Sequence, residues 1–177
     1  MKTLLLMRHA KSSWKNADIP DHERPLSKRG KKDAPLMGKL IKEKELVPQK
    51  MLISSAVRAT ETARLVRDKS GFDEDLDCLD SFYMAEPNSY LEPLRTLPDN
   101  IERVMVIGHN PGLDGLLQIL SGQIVPLSAG AVAHILLHIN QWNELNLDCE
   151  SELVEIFSPH KLETKEKKGK EKKAPKK

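Results

Sequence analysis

The chain has 177 residues, of which 39% are hydrophobic and 31% are charged, and this composition is typical of one soluble globular domain. A chain of this length can bury a single core without disulfides or metal ions. No apolar run approaches the roughly 20 residues that a membrane-spanning helix needs. The N-terminal apolar run, residues 4–7, is shorter than the hydrophobic region of a signal peptide, so we predict a cytoplasmic protein.

The charge is unevenly distributed along the chain. Residues 163–177 carry eight Lys and three Glu, whereas the first 162 residues carry 20 basic and 23 acidic side chains. The Lys-rich segment has no large apolar residue, so we predict one domain over residues 1–162 followed by a disordered tail. The tail is either a solubilising segment or a contact for an anionic partner. It lacks interleaved aromatic residues, and we therefore expect no specific nucleic-acid binding.

The two cysteines, Cys78 and Cys149, form no CxxC pair and lie near no histidine cluster. Neither a zinc site nor a disulfide framework is indicated. We therefore predict two free thiols and no metal or cofactor.

Short apolar runs alternate with helical patterns along the body of the chain. Ser27 is a predicted N-cap, and Pro35 predicts either a kink or a later start of the helix that follows. The predicted strands are residues 3–7, 50–54, 103–107, 131–139 and 152–157, and the predicted helices are 27–45, 56–67, 90–97 and 113–120.

This alternation predicts a single α/β domain with a mostly parallel central sheet flanked by helices. The last two strands have no good helix between them. They can therefore add antiparallel pairing at one side of the sheet.

Arginine and histidine residues follow three of the predicted strands. Arg8 and His9 come directly after the first strand, Arg58 lies in a helix that opens after the second, and His109 follows the third. Ligands of open α/β sheets bind beyond the carboxyl ends of the strands, so we expect these residues to converge. Guanidinium groups and helix N-termini bind phosphate oxygens, and a neutral imidazole can attack phosphorus near pH 7. The pattern predicts a phosphoryl-transfer site.

These motifs, together with the Asp21–Gly30 segment DHERPLSKRG, resemble the histidine phosphatase superfamily and, within it, compact SixA-type phosphohistidine phosphatases. The resemblance implies a phosphoglycerate-mutase-like fold over about residues 2–162. It implies that His9 is the nucleophile, that Arg8 and Arg58 clamp the phosphoryl oxygens, and that His109 hydrogen-bonds the phosphoryl group.

The residue that would protonate the leaving group is less clearly marked. Many relatives have an acidic residue after the middle of the chain, and two candidates are open here, Asp21 and Glu86. Asp21 could instead form a local ion pair with Arg24, and Glu86 could be a charge at a helix N-terminus. The sequence also departs from many relatives after the nucleophile, with Ala10, Lys11 and Lys15 where Gly, Glu and Asn are common.

The resemblance predicts a metal-independent phosphatase that works through a phosphohistidine enzyme intermediate on phosphohistidine in proteins. A first alternative is a small-molecule phosphomonoesterase or mutase-like enzyme on the same scaffold, and a second is a non-catalytic phosphate-binding module. The expected partner is a phosphorylated protein or a small phosphorylated substrate, with no membrane association. The oligomeric state is left open.

Overall fold

The computed structural model describes residues 1–162. The predicted disordered tail, residues 163–177, lies outside these described residues. Within residues 1–162, no helix is long and apolar enough to cross a membrane. Cys78 is exposed and Cys149 is partly exposed, and both are free thiols.

The secondary structure alternates between strands and helices through the first two thirds of the chain. Short 3₁₀ turns occur at Asp21–Glu23, Asp80–Phe82 and Trp142–Glu144. The longer elements are β1 Lys2–Arg8, α1 Lys28–Glu43, β2 Lys50–Ser54, α2 Val57–Ser70, β3 Leu76–Leu79, α3 Pro87–Arg95, β4 Arg103–Gly108, α4 Gly112–Ser121, β5 Val132–Leu137 and β6 Ser151–Phe157.

The strands form one mixed sheet in the order β3-β2-β4-β1-β5-β6. β3, β2, β4 and β1 pair in parallel, whereas β5 pairs antiparallel with both β1 and β6. The sequence prediction of a parallel sheet with antiparallel pairing at one side is therefore confirmed. The connection between β5 and β6 contains no α-helix, and such a connection suits antiparallel strands.

Helices cover both faces of the sheet. In the central strand β1, Leu4 and Leu6 pack in the core cluster that includes α3 and α4, and Leu5 and Met7 pack in the cluster that includes α1 and α2. A strand buried on both faces has a continuous apolar run instead of an alternating one. This is why β1, β2 and β4 were recognisable in the sequence.

The N-terminus of α1 is attached to the loop that follows β1. Ser27 caps the helix by accepting a hydrogen bond from the Gly30 backbone N–H at 3.1 Å, and its hydroxyl donates to the Lys11 carbonyl oxygen at 2.9 Å. A β-carbon at Gly30 would overlap this same Lys11 carbonyl. The glycine therefore allows α1 to pack closely against the backbone two residues beyond His9.

Two details differ from the sequence predictions. β3 was missed because Leu76–Leu79 is a short edge strand, Leu-Asp-Cys-Leu, with no continuous apolar run. Helix α1 starts at Lys28 and continues through Pro35, so a start after the proline was wrong. The buried side chains on both sides of Pro35, including Ala34 and Met37, hold this segment against the sheet in spite of the missing N–H donor.

Candidate active site

The ends of β1 and β4 bring two histidines together. Arg8 is paired in register with Gly108, and the His9 backbone N–H donates to the Gly108 carbonyl at 3.1 Å. His9 and His109, the residues that follow the two strands, are therefore neighbours. The imidazole rings of His9 and His109 have centroids 5.0 Å apart and are inclined at 56°.

One ring nitrogen of His9 is fixed by the backbone. Nδ1 lies 2.7 Å from the Ala10 carbonyl oxygen. A carbonyl oxygen can only accept, so Nδ1 carries the proton and Nε2 retains its lone pair. The Arg58 Nε–H donates to this Nε2 at 3.3 Å. The Nε2 lone pair of His9 is therefore the acceptor of a hydrogen bond from a guanidinium group.

The His9 imidazole is neutral at physiological pH. Burial lowers its pKa to about 4, and the positive charges of Arg58, Arg8 and Arg24 add to this effect against the opposing hydrogen bond to Ala10. Only 9% of His9 is exposed. Because the neutral form is the nucleophilic one, the site keeps His9 ready to attack an electrophile.

His109 is oriented by the last residue of β2. Its Nε2 lies 2.7 Å from the hydroxyl oxygen of Ser54, which is fully buried and also accepts a bond from the Ala56 backbone N–H. When the Ser54 hydroxyl donates to Nε2, Nδ1 of His109 carries the proton, and this Nδ1 is buried with no hydrogen-bond partner among residues 1–162. Burial, followed by the interaction with His9 and the charge of Arg58, lowers the pKa of His109 to about 3.

Arg58 lies in the first turn of α2 and is buried. Its Nη1 donates to the Asp21 backbone carbonyl at 2.6 Å, and its Nη2 donates to Asp21 Oδ2 at 3.1 Å. The same turn is tied to the loop after β1, because the Thr62 hydroxyl donates to the Arg58 carbonyl and accepts from the Ala10 N–H at 3.0 Å. The nucleophile loop and the guanidinium are therefore held in a fixed relative position.

Arg8, the last residue of β1, is held by the loop before β5. Its Nη1 donates to the Leu127 carbonyl at 2.9 Å, and the Asn110 side-chain amide donates to the same oxygen at 3.0 Å. Asp114 accepts from the Leu127 backbone N–H at 2.8 Å. The loop before β5 thus anchors Arg8 to the segment that carries His109.

An open cleft of about 780 Å³ is lined by part of this cluster. Its lining includes Arg58, His109 and Asp21, together with Glu86 and a group of apolar side chains, among them Met84, Pro87 and Pro111. Glu86 is exposed at the N-cap position of α3 and makes no capping hydrogen bond with its side chain. A β-carbon at Gly112 would overlap the Ala85 carbonyl, so this glycine lets the wall of the cleft approach α4.

Comparison with known proteins identifies the family. The sequence model of the histidine phosphatase superfamily (branch 1) matches residues 4–80. An uncharacterised chloroplast protein of Arabidopsis thaliana is 33% identical over 153 residues, which cover 81% of this chain and 70% of that protein. The chain belongs to the histidine phosphatase superfamily. Its general activity is accordingly that of a phosphatase.

Solved structures of histidine phosphatases have the same fold. The protein histidine phosphatase SixA in complex with tungstate has a TM-score of 0.78 and 22% identity, covering 90% of this chain and 99% of SixA. A mycobacterial glucosyl-3-phosphoglycerate phosphatase has a TM-score of 0.59 and 10% identity, covering 86% and 97% of the two chains. The phosphoglycerate-mutase-like fold expected from the sequence is thereby confirmed.

In this histidine phosphatase, the structure brings together Arg58, His9, His109 and Asp21, with Arg8 directly preceding His9. Glu86 is exposed and lines the same cleft. No group of three or more His, Cys, Asp or Glu side chains within residues 1–162 is arranged to hold a metal ion.

Sequence reasoning missed two participants. The Tyr83 hydroxyl donates to Asp21 Oδ2 at 2.8 Å, and its ring packs edge-on against His109 at a centroid distance of 5.8 Å. Tyr83 follows β3 and the 3₁₀ turn Asp80–Phe82. Recognition of β3 in the sequence would therefore have placed Tyr83 at the same edge of the sheet. Ser54 is the terminal residue of β2, and its position next to a predicted strand end was the available signal.

Proposed function

We propose that the protein is a phosphohistidine phosphatase and that His9 carries the phosphoryl group in an enzyme intermediate. The observation that supports this proposal most directly is the state of His9. Its Nδ1 proton is bound by the Ala10 carbonyl, and its Nε2 lone pair accepts from the Arg58 guanidinium. A neutral nucleophile that is held next to a guanidinium suits attack on a phosphoryl group.

In the first step, the Nε2 lone pair of His9 forms a bond to phosphorus, and the electrons of the substrate P–N bond pass to the leaving imidazole nitrogen. The Arg58 and Arg8 guanidiniums and the His109 Nδ1–H stabilise charge on the phosphoryl oxygens. The leaving imidazole takes up a proton from solvent or a nearby acid. In the second step, water attacks phosphorus, the bond to His9 breaks, and orthophosphate is released.

The lining of the cleft supports an uncharged leaving group. Besides Arg58 and His109 it contains two carboxylates, Asp21 and Glu86, and apolar side chains such as Met84 and Pro87. Among its lining residues, Arg58 is the one side chain with a permanent positive charge. A substrate with a second anionic group would meet these carboxylates without a cation to bind it. An imidazole on a protein surface carries no such group.

The named neighbours include one protein histidine phosphatase and one phosphatase of a small molecule. SixA is described as a protein histidine phosphatase, and its structure holds tungstate, a tetrahedral oxyanion. Glucosyl-3-phosphoglycerate, the substrate named for the mycobacterial neighbour, contains a carboxylate in addition to its phosphate. Such a substrate would face Asp21 and Glu86 in this cleft.

The test is a comparison of kcat/KM on a phosphohistidine protein, phosphoserine and phosphotyrosine peptides, sugar phosphates and nucleotides. We expect the phosphohistidine protein to be the best substrate. We also expect His9→Ala to abolish turnover and a rapidly quenched reaction to show phosphate on His9. His138→Ala, which changes an exposed histidine, is the matched control. A preference for a sugar phosphate or nucleotide would reject the proposed substrate, and full activity of His9→Ala would reject the mechanism.

A further inference from the structure

The carboxylate of Asp21 lies between two guanidinium groups. Its Oδ2 accepts from Arg58 Nη2 at 3.1 Å, and its Oδ1 lies 3.2 Å from Arg24 Nη1. Its backbone carbonyl accepts a further bond, from Arg58 Nη1 at 2.6 Å. One residue thus contacts two nitrogens of Arg58 and one of Arg24.

Arg24 is built into this arrangement and is not a loose surface side chain. Its side chain is only 7% exposed. Its Nη2 donates to the Ser12 hydroxyl at 2.7 Å, and its guanidinium carbon lies 3.3 Å from the centre of the Trp14 ring. Neither Arg24 Nε nor Arg24 Nη1 makes a hydrogen bond among the described residues, so the contact between Nη1 and Asp21 is an ion pair without hydrogen-bond geometry. A buried guanidinium with an unused donor is suited to bind an anion.

The charges of the site match a phosphoryl dianion. Arg8, Arg24 and Arg58 supply three positive charges, and Asp21 supplies one negative charge. His9 and His109 are neutral because burial lowers both of their pKa values. The fixed side chains therefore leave two positive charges for the ligand. Without Asp21, the neighbouring guanidiniums of Arg24 and Arg58 would repel each other across the pocket.

Tyr83 completes the arrangement. Its hydroxyl donates to Asp21 Oδ2 at 2.8 Å, the same oxygen that accepts from Arg58. Partial burial of Asp21 opposes ionisation, but the Tyr83 hydrogen bond and the Arg58 and Arg24 charges outweigh it and lower the pKa of Asp21. Asp21 is therefore an ionised acceptor, whereas a general acid must hold a proton to donate.

We propose that Asp21 is a positioning residue that holds Arg24 and Arg58 as a fixed pair of phosphoryl-binding guanidiniums, with Tyr83 orienting its carboxylate. Arg24 is then a third arginine of the phosphoryl pocket, alongside Arg8 and Arg58. Asp21 does not protonate the leaving group, and Glu86 is left as the sequence candidate for that role. This proposal rests on the proposed function only in taking the bound ligand to be a phosphoryl group.

The first measurement is the affinity of the protein for inorganic phosphate. We expect Asp21→Asn to weaken binding about tenfold, because an amide retains one acceptor oxygen but loses the charge, and Asp21→Ala to weaken it about a hundredfold. Tyr83→Phe, which removes one hydroxyl at the rim, should weaken it several-fold. Glu23→Gln is the matched control, since Glu23 is exposed in the same 3₁₀ turn.

The second measurement separates positioning from acid catalysis. kcat and KM are determined for Asp21→Asn with aryl phosphates whose leaving groups differ in basicity, from p-nitrophenyl phosphate to phenyl phosphate. A positioning residue lowers kcat/KM by the same factor along the series and leaves the shape of the pH profile unchanged. Removal of a general acid lowers kcat/KM by a larger factor as the leaving group becomes more basic, and it also removes the alkaline limb of the pH profile.

A leaving-group-dependent loss in Asp21→Asn, or unchanged phosphate affinity in both Asp21→Asn and Tyr83→Phe, would overturn the proposal. Melting temperatures identify a variant that is unfolded, and Tyr83→Phe then decides by itself. If the wild-type protein hydrolyses aryl phosphates but not phosphohistidine, the proposed substrate fails. The phosphate-binding measurement would still decide the role of Asp21, because it involves no substrate.

Discussion

The two buried imidazoles couple the stability of the domain to pH. The pKa of His9 is lowered to about 4 and that of His109 to about 3, in both cases mainly by burial, from an ordinary value of 6.5. Unfolding returns both side chains to water, where they bind protons more strongly. The unfolded chain therefore gains protons below pH 6.5, and stability is lost as the pH falls from about 6.5 towards about 4.

The size of the effect follows from the number of protons taken up on unfolding. Near pH 5.5 each imidazole is about nine-tenths protonated in the unfolded chain and almost unprotonated in the folded protein. Each residue therefore contributes a slope of about 1.2 kcal/mol per pH unit to the free energy of unfolding, and the pair contributes about 2.4 kcal/mol per pH unit. This range lies above the pKa of most carboxylates, so their titration interferes little.

Urea denaturation at several pH values between about 5 and 6.5 measures this slope. We expect His109→Gln to reduce it by about 1.2 kcal/mol per pH unit, because one titrating group is removed. The exposed His138 provides the control variant, His138→Gln. Burial also lowers the pKa of His134. Titration of His134 therefore adds the same slope in the free energy of unfolding to the wild type and to every variant. A slope in His109→Gln equal to that of the wild type would refute the reasoning.

Three further results are expected. After correction for titration of the substrate, the acid limb of kcat/KM should lie near pH 4, where His9 becomes protonated, and a limb at 6.5 would contradict a buried neutral nucleophile. Ser54→Ala should lower kcat about tenfold, because the proton of His109 is no longer fixed on Nδ1, and steady-state kinetics measure the loss. Arg58→Lys should lower kcat/KM about a hundredfold, since an ammonium cannot bind Asp21, His9 and a phosphoryl oxygen at once, whereas Arg67→Lys on the same helix should be silent.

Much of the fold follows from short-range patterns. β1, β2 and β4 are central strands buried on both faces, and their continuous apolar runs mark them in the sequence. The Ser27 cap marks the start of α1 for an equally local reason, since it satisfies a free backbone donor. β3 gave no such signal, because an edge strand needs only one neighbouring strand and tolerates polar residues.

The sequence also determined which chemical groups reach the functional edge. Arg8 ends a recognisable strand, and His9, Arg58 and His109 each follow one. The parallel arrangement brings the ends of these strands to one edge. The general chemistry of a phosphoryl site follows from these residue types. Their individual catalytic roles are still predictions.

Only the tertiary structure decided how these groups are tuned. The low pKa values of His9 and His109 depend on burial, and burial is a property of the packed core and not of neighbouring residues in the chain. The contacts of Asp21 with Arg58 and Tyr83 join segments 37 and 62 residues apart. No local pattern encodes such contacts, because they form only when the 3₁₀ turn at Asp21–Glu23 packs against α2 and the segment after β3.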